Sequence, residues 1–155
     1  MSATIRLATD ADVPALVALM AEFYAEAHFP LPAESAARAF AALLTAPPLG
    51  AVWLAELEGR AVGHVVLTTA FSMEYGGLRG FIDDLFVRPA ARRRGIGAAL
   101  LAAARAGALV RGLRALCVET GLAGHPARGL YTRAGYLDSE HALLVQPLAA
   151  PVHAA

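Results

Sequence analysis

Lysine is missing altogether from this 155-residue chain: all 13 basic residues are arginine, and 13 acidic residues balance them to a formal net charge of zero. With neither sign in surplus, a protein that coats nucleic acid or carries an acidic solvating tail is excluded, and local charge must carry the function. Arginine's planar fork suits phosphate and carboxylate, although codon bias accounts for the larger part of the uniformity. Cysteine is nearly missing too. A lone Cys117 forms no internal disulfide, and inside the apolar run Leu113 to Val118 it reads as a small core residue rather than a nucleophile. No apolar run reaches the roughly 18 residues of a membrane span. The N-terminus lacks a secretory h-region, which together with the single cysteine predicts a cytoplasmic protein. The histidines His28, His64, His125, His141 and His153 show no paired ligand spacing, so no metal site is expected.

What is present is patterned as one domain, expected over residues 1–148 with a loose alanine-rich tail over 149–155. Ile5 to Ala8 reads as a strand, and Thr9 to Asp12 offer caps for a helix whose apolar face is Val13, Leu16, Val17, Met20 and Phe23. A second helix is predicted from Glu34 to Leu44 between proline clusters. Val52 to Leu57 and Ala61 to Thr69 form a hairpin across Glu58-Gly59-Arg60. A turn at Gly76-Gly77 then leads to the run Phe81-Ile82-Asp83-Asp84-Leu85-Phe86-Val87. Ile96 to Arg111, rich in alanine and leucine, reads as a helix, and Leu113 to Glu119 as a strand. A strand-helix-strand connection of this length is a right-handed crossover, so these last two strands should be parallel neighbours in an otherwise antiparallel sheet. A final helix over Pro126 to Ala134 stops at Gly135, and Leu143 to Leu148 is expected to close the sheet. The fold class is therefore α/β with a mixed sheet.

One stretch carries chemistry. Arg92-Arg93-Arg94-Gly95-Ile96-Gly97 follows a strand and opens a helix, where free backbone N–H groups and the positive helix end favour a phosphate. Gly95 and Gly97 let a diphosphate approach the backbone, and the arginines add charge-assisted hydrogen bonds. A P-loop is excluded because Ala98-Ala99 stand where lysine and serine or threonine are needed. The dinucleotide fingerprint fails at Leu100.

With Val87-Arg88-Pro89 before it, Arg92-x-x-Gly95-x-Gly97 resembles the cofactor motif of the GNAT superfamily of acetyltransferases. A second stretch agrees independently: Ala127, Tyr131, Gly135 and Tyr136 match the superfamily's later alanine, tyrosine, glycine and aromatic. Gly124 departs from an asparagine that many members carry there, removing any side-chain contact to the cofactor from that position. The resemblance implies a GNAT fold, a central mixed and mostly antiparallel sheet whose parallel central strands splay apart, flanked by helices. It also implies acetyl-CoA as cofactor, its diphosphate on Arg92, Arg93, Arg94, Gly95, Ile96, Gly97 and Ala98. The pantetheine arm would lie along Leu85, Phe86 and Val87, and the backbone N–H of Phe86 or Val87 would donate to the thioester oxygen.

Tyr131 stands at the position that resembles the superfamily's general acid and would also touch the cofactor. A phenol with an ordinary pKa near 10 can hydrogen-bond to a departing thiolate. For the amine's proton, neighbours on a regular strand face opposite ways, so only one of Asp83 and Asp84 would enter the cleft. The resemblance favours Asp83, although a bulge would exchange the two roles. Glu119 is a second candidate and Glu74 a third. The acceptor is expected to be a small-molecule amine such as a polyamine, an amino sugar or an amino acid derivative. It would be met by Tyr24, His28 and Phe29 and by the segment Phe71 to Gly80. The alternatives are a protein or peptide acetyltransferase and a non-catalytic coenzyme A binding module. No nucleic acid or membrane partner is expected, and a homodimer through the closing strands is plausible by resemblance.

Overall fold

A computed structural model describes residues 2–121 and 125–149. The five strands β1 (Thr4–Leu7), β2 (Gly50–Leu57), β3 (Arg60–Ser72), β4 (Gly77–Val87) and β5 (Leu116–Val118) form one sheet in chain order. All neighbours are antiparallel except β4 and β5, which are parallel. The connection between that pair carries α3 (Ile96–Val110), while α1 (Val13–Glu26) and α2 (Ala33–Leu44) precede the hairpins and α4 (Arg128–Arg133) follows β5. The mixed α/β architecture read from the sequence is therefore the observed one.

Alternation along the strands divides the core in two, because successive side chains leave a strand on opposite faces. Val65, Leu67 and Ile82 pack with Leu100, Leu101 and Ala104 of α3. Val52, Leu54, Val66 and Phe86 pack with Leu16 and Leu19 of α1 and Phe40 of α2. The α3 layer is tight: a Cβ added at Gly107 would come within 2.3 Å of the Trp53 ring, so glycine there sets how closely the helix lies on the sheet. His64 is wholly buried in the other layer between Phe40 and Phe86. Burial pushes its pKa down to about 4, so it is neutral. At the start of the chain the Thr9 amide donates to the Asp12 carboxylate. Arg6 bridges Asp12 and Glu56, at 2.8 and 2.7 Å, tying the first turn to β2.

Two expectations need correction. The strand expected over Leu113 to Glu119 shortens to Leu116–Val118. The closing strand expected over Leu143 to Leu148 is not formed: that arm has no regular secondary structure, with Leu144 92% and Leu148 94% exposed. An apolar run becomes a strand only where it pairs with another strand's edge, and among the described residues the arm pairs with none. Pro147 lacks an N–H to contribute in any case. Gly124, and all of the expected tail except Ala149, fall outside the described residues.

Candidate active site

The site is built where the parallel pairing stops. β5 pairs with Gly80, Phe81 and Ile82 of β4 and no further. From Asp83 to Val87 the outer edge of β4 therefore has no strand beside it, and a cleft of about 1910 Å³ opens there, lined by Leu85, Val87, Gly97, Val118 and Tyr131. Arg88 donates its backbone N–H to the Val62 carbonyl. In an antiparallel ladder residues alternate between facing the partner and facing away. Phe86, two residues earlier, thus turns its backbone groups toward β3, while Leu85 and Val87 turn theirs toward the cleft. Of the two expected N–H donors, this alternation leaves Val87. The Phe86 ring lies in the core.

Below that edge the glycine turn leads into α3. The amides from Arg93 through Ala98 have no acceptor among the described residues, as a 15-residue helix leaves its first N–H groups. The turn depends on left-handed backbone at Arg93 (φ 64°) and Gly95 (φ 76°), a region where glycine carries no steric penalty. Gly97 has a different role from close ligand approach alone: a Cβ there would meet Leu130 of α4 at 3.2 Å. The three arginines also separate. Arg92 and Arg93 both line the cleft and Arg94 is exposed, but the Arg92 guanidinium turns toward α1. It grips both Glu26 carboxylate oxygens at 2.8 Å, donates to the Val87 carbonyl and stacks on Phe86. Arg88 holds Glu22 in the same way and donates to the Ala61 carbonyl. Two glutamates one turn apart on α1 thus strap the helix to the cofactor turn, an arrangement that no local sequence pattern showed.

The carboxylate pair meets the bulge that the regular-strand argument left open. Val66 pairs with Asp84 and Leu67 with Ile82, so Asp83 is the extra residue without a partner. Asp83 is exposed and Asp84 half-buried on the α1 face. Burial, followed by the Asp83 charge, pushes Asp84 up to about 7. Burial raises Asp83 as well. Asp84 in turn helps to raise Tyr24 of α1, which burial brings to about 12, and Tyr131 of α4, where burial again is the main cause. One carboxylate therefore sits within electrostatic reach of both tyrosines. Tyr136 packs edge-on against Tyr131 at 5.5 Å and fixes its ring.

The remaining candidates are not brought to this point. Glu119 is exposed beyond the end of β5 and, like Asp83 and Asp84, is not among the residues lining the cleft; unlike Asp84 it has no electrostatic influence on Tyr131. Glu74 lies at its far rim on the turn between β3 and β4. Cys117 is half-buried on the cleft wall rather than in either core cluster. Among the described residues no cluster of histidine, cysteine, aspartate or glutamate is arranged to hold a metal ion, and no helix is long and apolar enough to cross a membrane.

These features can be set beside known proteins. Residues 14–136 match the Acetyltransferase (GNAT) family. The uncharacterized N-acetyltransferase YhfO of Bacillus subtilis (strain 168) is 35% identical over 85 residues. These make up 55% of this chain and 57% of that protein, so the match spans little more than half of the relative's length. Among solved structures, the integron cassette protein HFX_CASS3 from the mobile metagenome of Cole Harbour Salt Marsh is 53% identical, with a TM-score of 0.89 over 96% of this chain and 93% of that one. The aminoglycoside N-acetyltransferase AAC(6')-Iy in complex with CoA superimposes with a TM-score of 0.82 over 95% of each chain. At 18% identity this shows a common fold and nothing finer.

Proposed function

Because the chain belongs to the Acetyltransferase (GNAT) family, we propose that it moves an acetyl group from acetyl-CoA to the primary amine of a small molecule by direct attack on the thioester. The observation that carries this reading is the convergence at one gap in the sheet. The acceptor-free amides of Arg93 to Ala98, the unpaired edge of β4 and Tyr131 all face it, and Asp84, on the α1 face beside the cleft lining, lies within electrostatic reach of Tyr131. Acetyl-CoA fits these residues: the diphosphate matches the amides and Arg93, and an extended amide arm matches the β4 edge as an added strand would.

Acetyl-CoA supplies an activated acyl group, whose carbonyl carbon gains a bond to the amine nitrogen as its bond to sulphur breaks. The protein manages protons and charge. An amine arrives as ammonium and must lose a proton before it attacks. Asp84, whose pKa is raised to about 7, is matched to accept that proton near neutrality. The Val87 N–H donates to the carbonyl oxygen as negative charge grows there. Tyr131 stays protonated at neutral pH because its pKa is raised, so it can donate to the departing sulphur. Asp83 keeps Asp84 basic through its charge.

The exposed apolar arm around Leu144 and the open outer edge of β5 support a homodimer as part of the same reading. To test the chemistry, release of free thiol from acetyl-CoA is followed across a panel of amines. Tyr131→Phe is expected to lower kcat at least tenfold with KM for acetyl-CoA within about threefold. A variant as fast as the parent removes Tyr131 from the reaction.

A further inference from the structure

The α1 face of β4 continues past the carboxylates. Residues directly opposite each other in an antiparallel pair share a face. Thr68 pairs with Phe81, Ala70 with Arg79 and Val66 with Asp84, all at even spacing along β3. Asp84, Phe81 and Arg79 consequently point to the same side of the sheet, in that order away from the core. The Arg79 guanidinium lies over the Phe81 ring, 4.9 Å from its centroid, so the side chain leans along the strand toward Asp84.

Arg79 is poorly satisfied where it lies. Its Nε is buried yet has no hydrogen-bond partner, and it forms no ion pair among the described residues. Ala70, opposite it, offers no side-chain acceptor. A buried N–H of a cation without an acceptor is costly, and such groups in native proteins have an explanation. Stacking on an aromatic face leaves the in-plane N–H fork free for a planar anion. Of the acids that would otherwise favour a polycation, Glu22 is held by Arg88 and Glu26 by Arg92, and Glu74 stands on the turn between β3 and β4 rather than on this strand face. What remains along this face is a carboxylate pair at one end and a cation at the other.

We propose that the acceptor is an amino carboxylate, an amino acid or close derivative, and that Arg79 holds its carboxylate while its amine sits at Asp84. The proposal rests on the acetyl-transfer reading and adds the substrate class. The spacing agrees. Arg79 and Asp84 lie opposite Ala70 and Val66, four residues apart, or about 13 Å at strand rise, and the Arg79 guanidinium reaches over Phe81, whose own position is about 7 Å along the strand from Asp84. A primary amine and a carboxylate a few bonds apart, each with a hydrogen bond of about 2.8 Å at its outer end, span about that distance. A diamine would place its second cation against Arg79.

The test compares each of several amino acids with the amine that lacks only its carboxylate, phenylalanine with phenethylamine for example, and adds putrescine and spermidine. Parent protein, Arg79→Gln and Arg79→Lys are all assayed by thiol release. The parent is expected to prefer the amino acid at least tenfold in kcat/KM. Arg79→Gln is expected to lower kcat/KM for amino acids about tenfold to a hundredfold, mainly through KM, with the decarboxylated amine within about threefold. Arg79→Lys should recover part of the loss, because it restores the charge without the fork. A parent that prefers simple amines or polyamines, or an Arg79→Gln that slows both partners of a pair equally, overturns the carboxylate anchor and leaves acetyl transfer standing. No thiol release with any amine overturns both.

Discussion

In the proposed reaction Asp84 combines a cost to stability with the role of base in one side chain. Its pKa is raised from 3.8 to about 7, so the folded state holds a proton that the unfolded chain has already released. Stability from this residue is therefore full below about pH 4 and declines as pH rises through about 7. The same deprotonation creates the base. Asp84→Asn is expected to raise Tm at pH 8, by an amount corresponding to about 1–3 kcal/mol, while lowering kcat/KM at least tenfold and removing the rise of activity between about pH 6 and 8. Thermal melts and a pH–rate profile measure both. A variant that is destabilised at pH 8, or one that keeps the profile, would return the role to Asp83. Sequence alone named the pair but favoured the other member, because the bulge that leaves Asp83 unpaired comes from register against β3 and leaves no local mark.

Among the elements, α4 is the one whose placement the reaction needs most and whose own contacts are fewest. It is six residues long, and its seat on the start of α3 is the contact of Leu130 with Gly97. A β-branched side chain at 97 would push α4 off and carry Tyr131 with it. Gly97→Val is expected to reduce kcat tenfold or more, and Leu130→Ala in the same chain to recover a substantial part by making room. Thiol-release kinetics on the two single variants and the double variant form a coupling cycle, and strictly additive losses would show that the contact does not position Tyr131. The straps from α1 work differently. Glu22–Arg88 and Glu26–Arg92 are substantially exposed, so each stabilises by no more than about 1 kcal/mol. Their effect is to hold the C-terminal end of α1, and with it Tyr24, against the cofactor turn.

At the scale of the whole molecule, the arm beyond α4 is the part that a single chain leaves unfinished. Leu143, Leu144, Val145 and Leu148 are 62%, 92%, 74% and 94% exposed, an apolar strip that a second copy would cover. Sedimentation velocity at micromolar concentration is expected to show a dimer for the parent, and a monomer when Leu143, Leu144 and Val145 are all changed to serine. A monomeric parent rejects the arm as an interface.

The order of elements, the crossover and the glycine turn were legible in sequence because each rests on local rules: periodicity, helix caps and backbone freedom at glycine. Tyr131 was singled out through the family resemblance carried by Ala127, Tyr131 and Gly135, and its role is part of the proposed reaction. Tertiary structure decided what depends on partners far apart in the chain. Arg92, expected beside Arg93 and Arg94 as a phosphate ligand, also binds Glu26, 66 residues away, a contact that no local pattern showed. Arg79 carried no signal until pairing with β3 put it on the same face as Asp84. The arm from Leu143 read as a strand, and forms none because it pairs with no strand edge among the described residues, the outer edge of β5 staying open. Local chemistry sets what each segment can be, and only register and packing set which side chains meet.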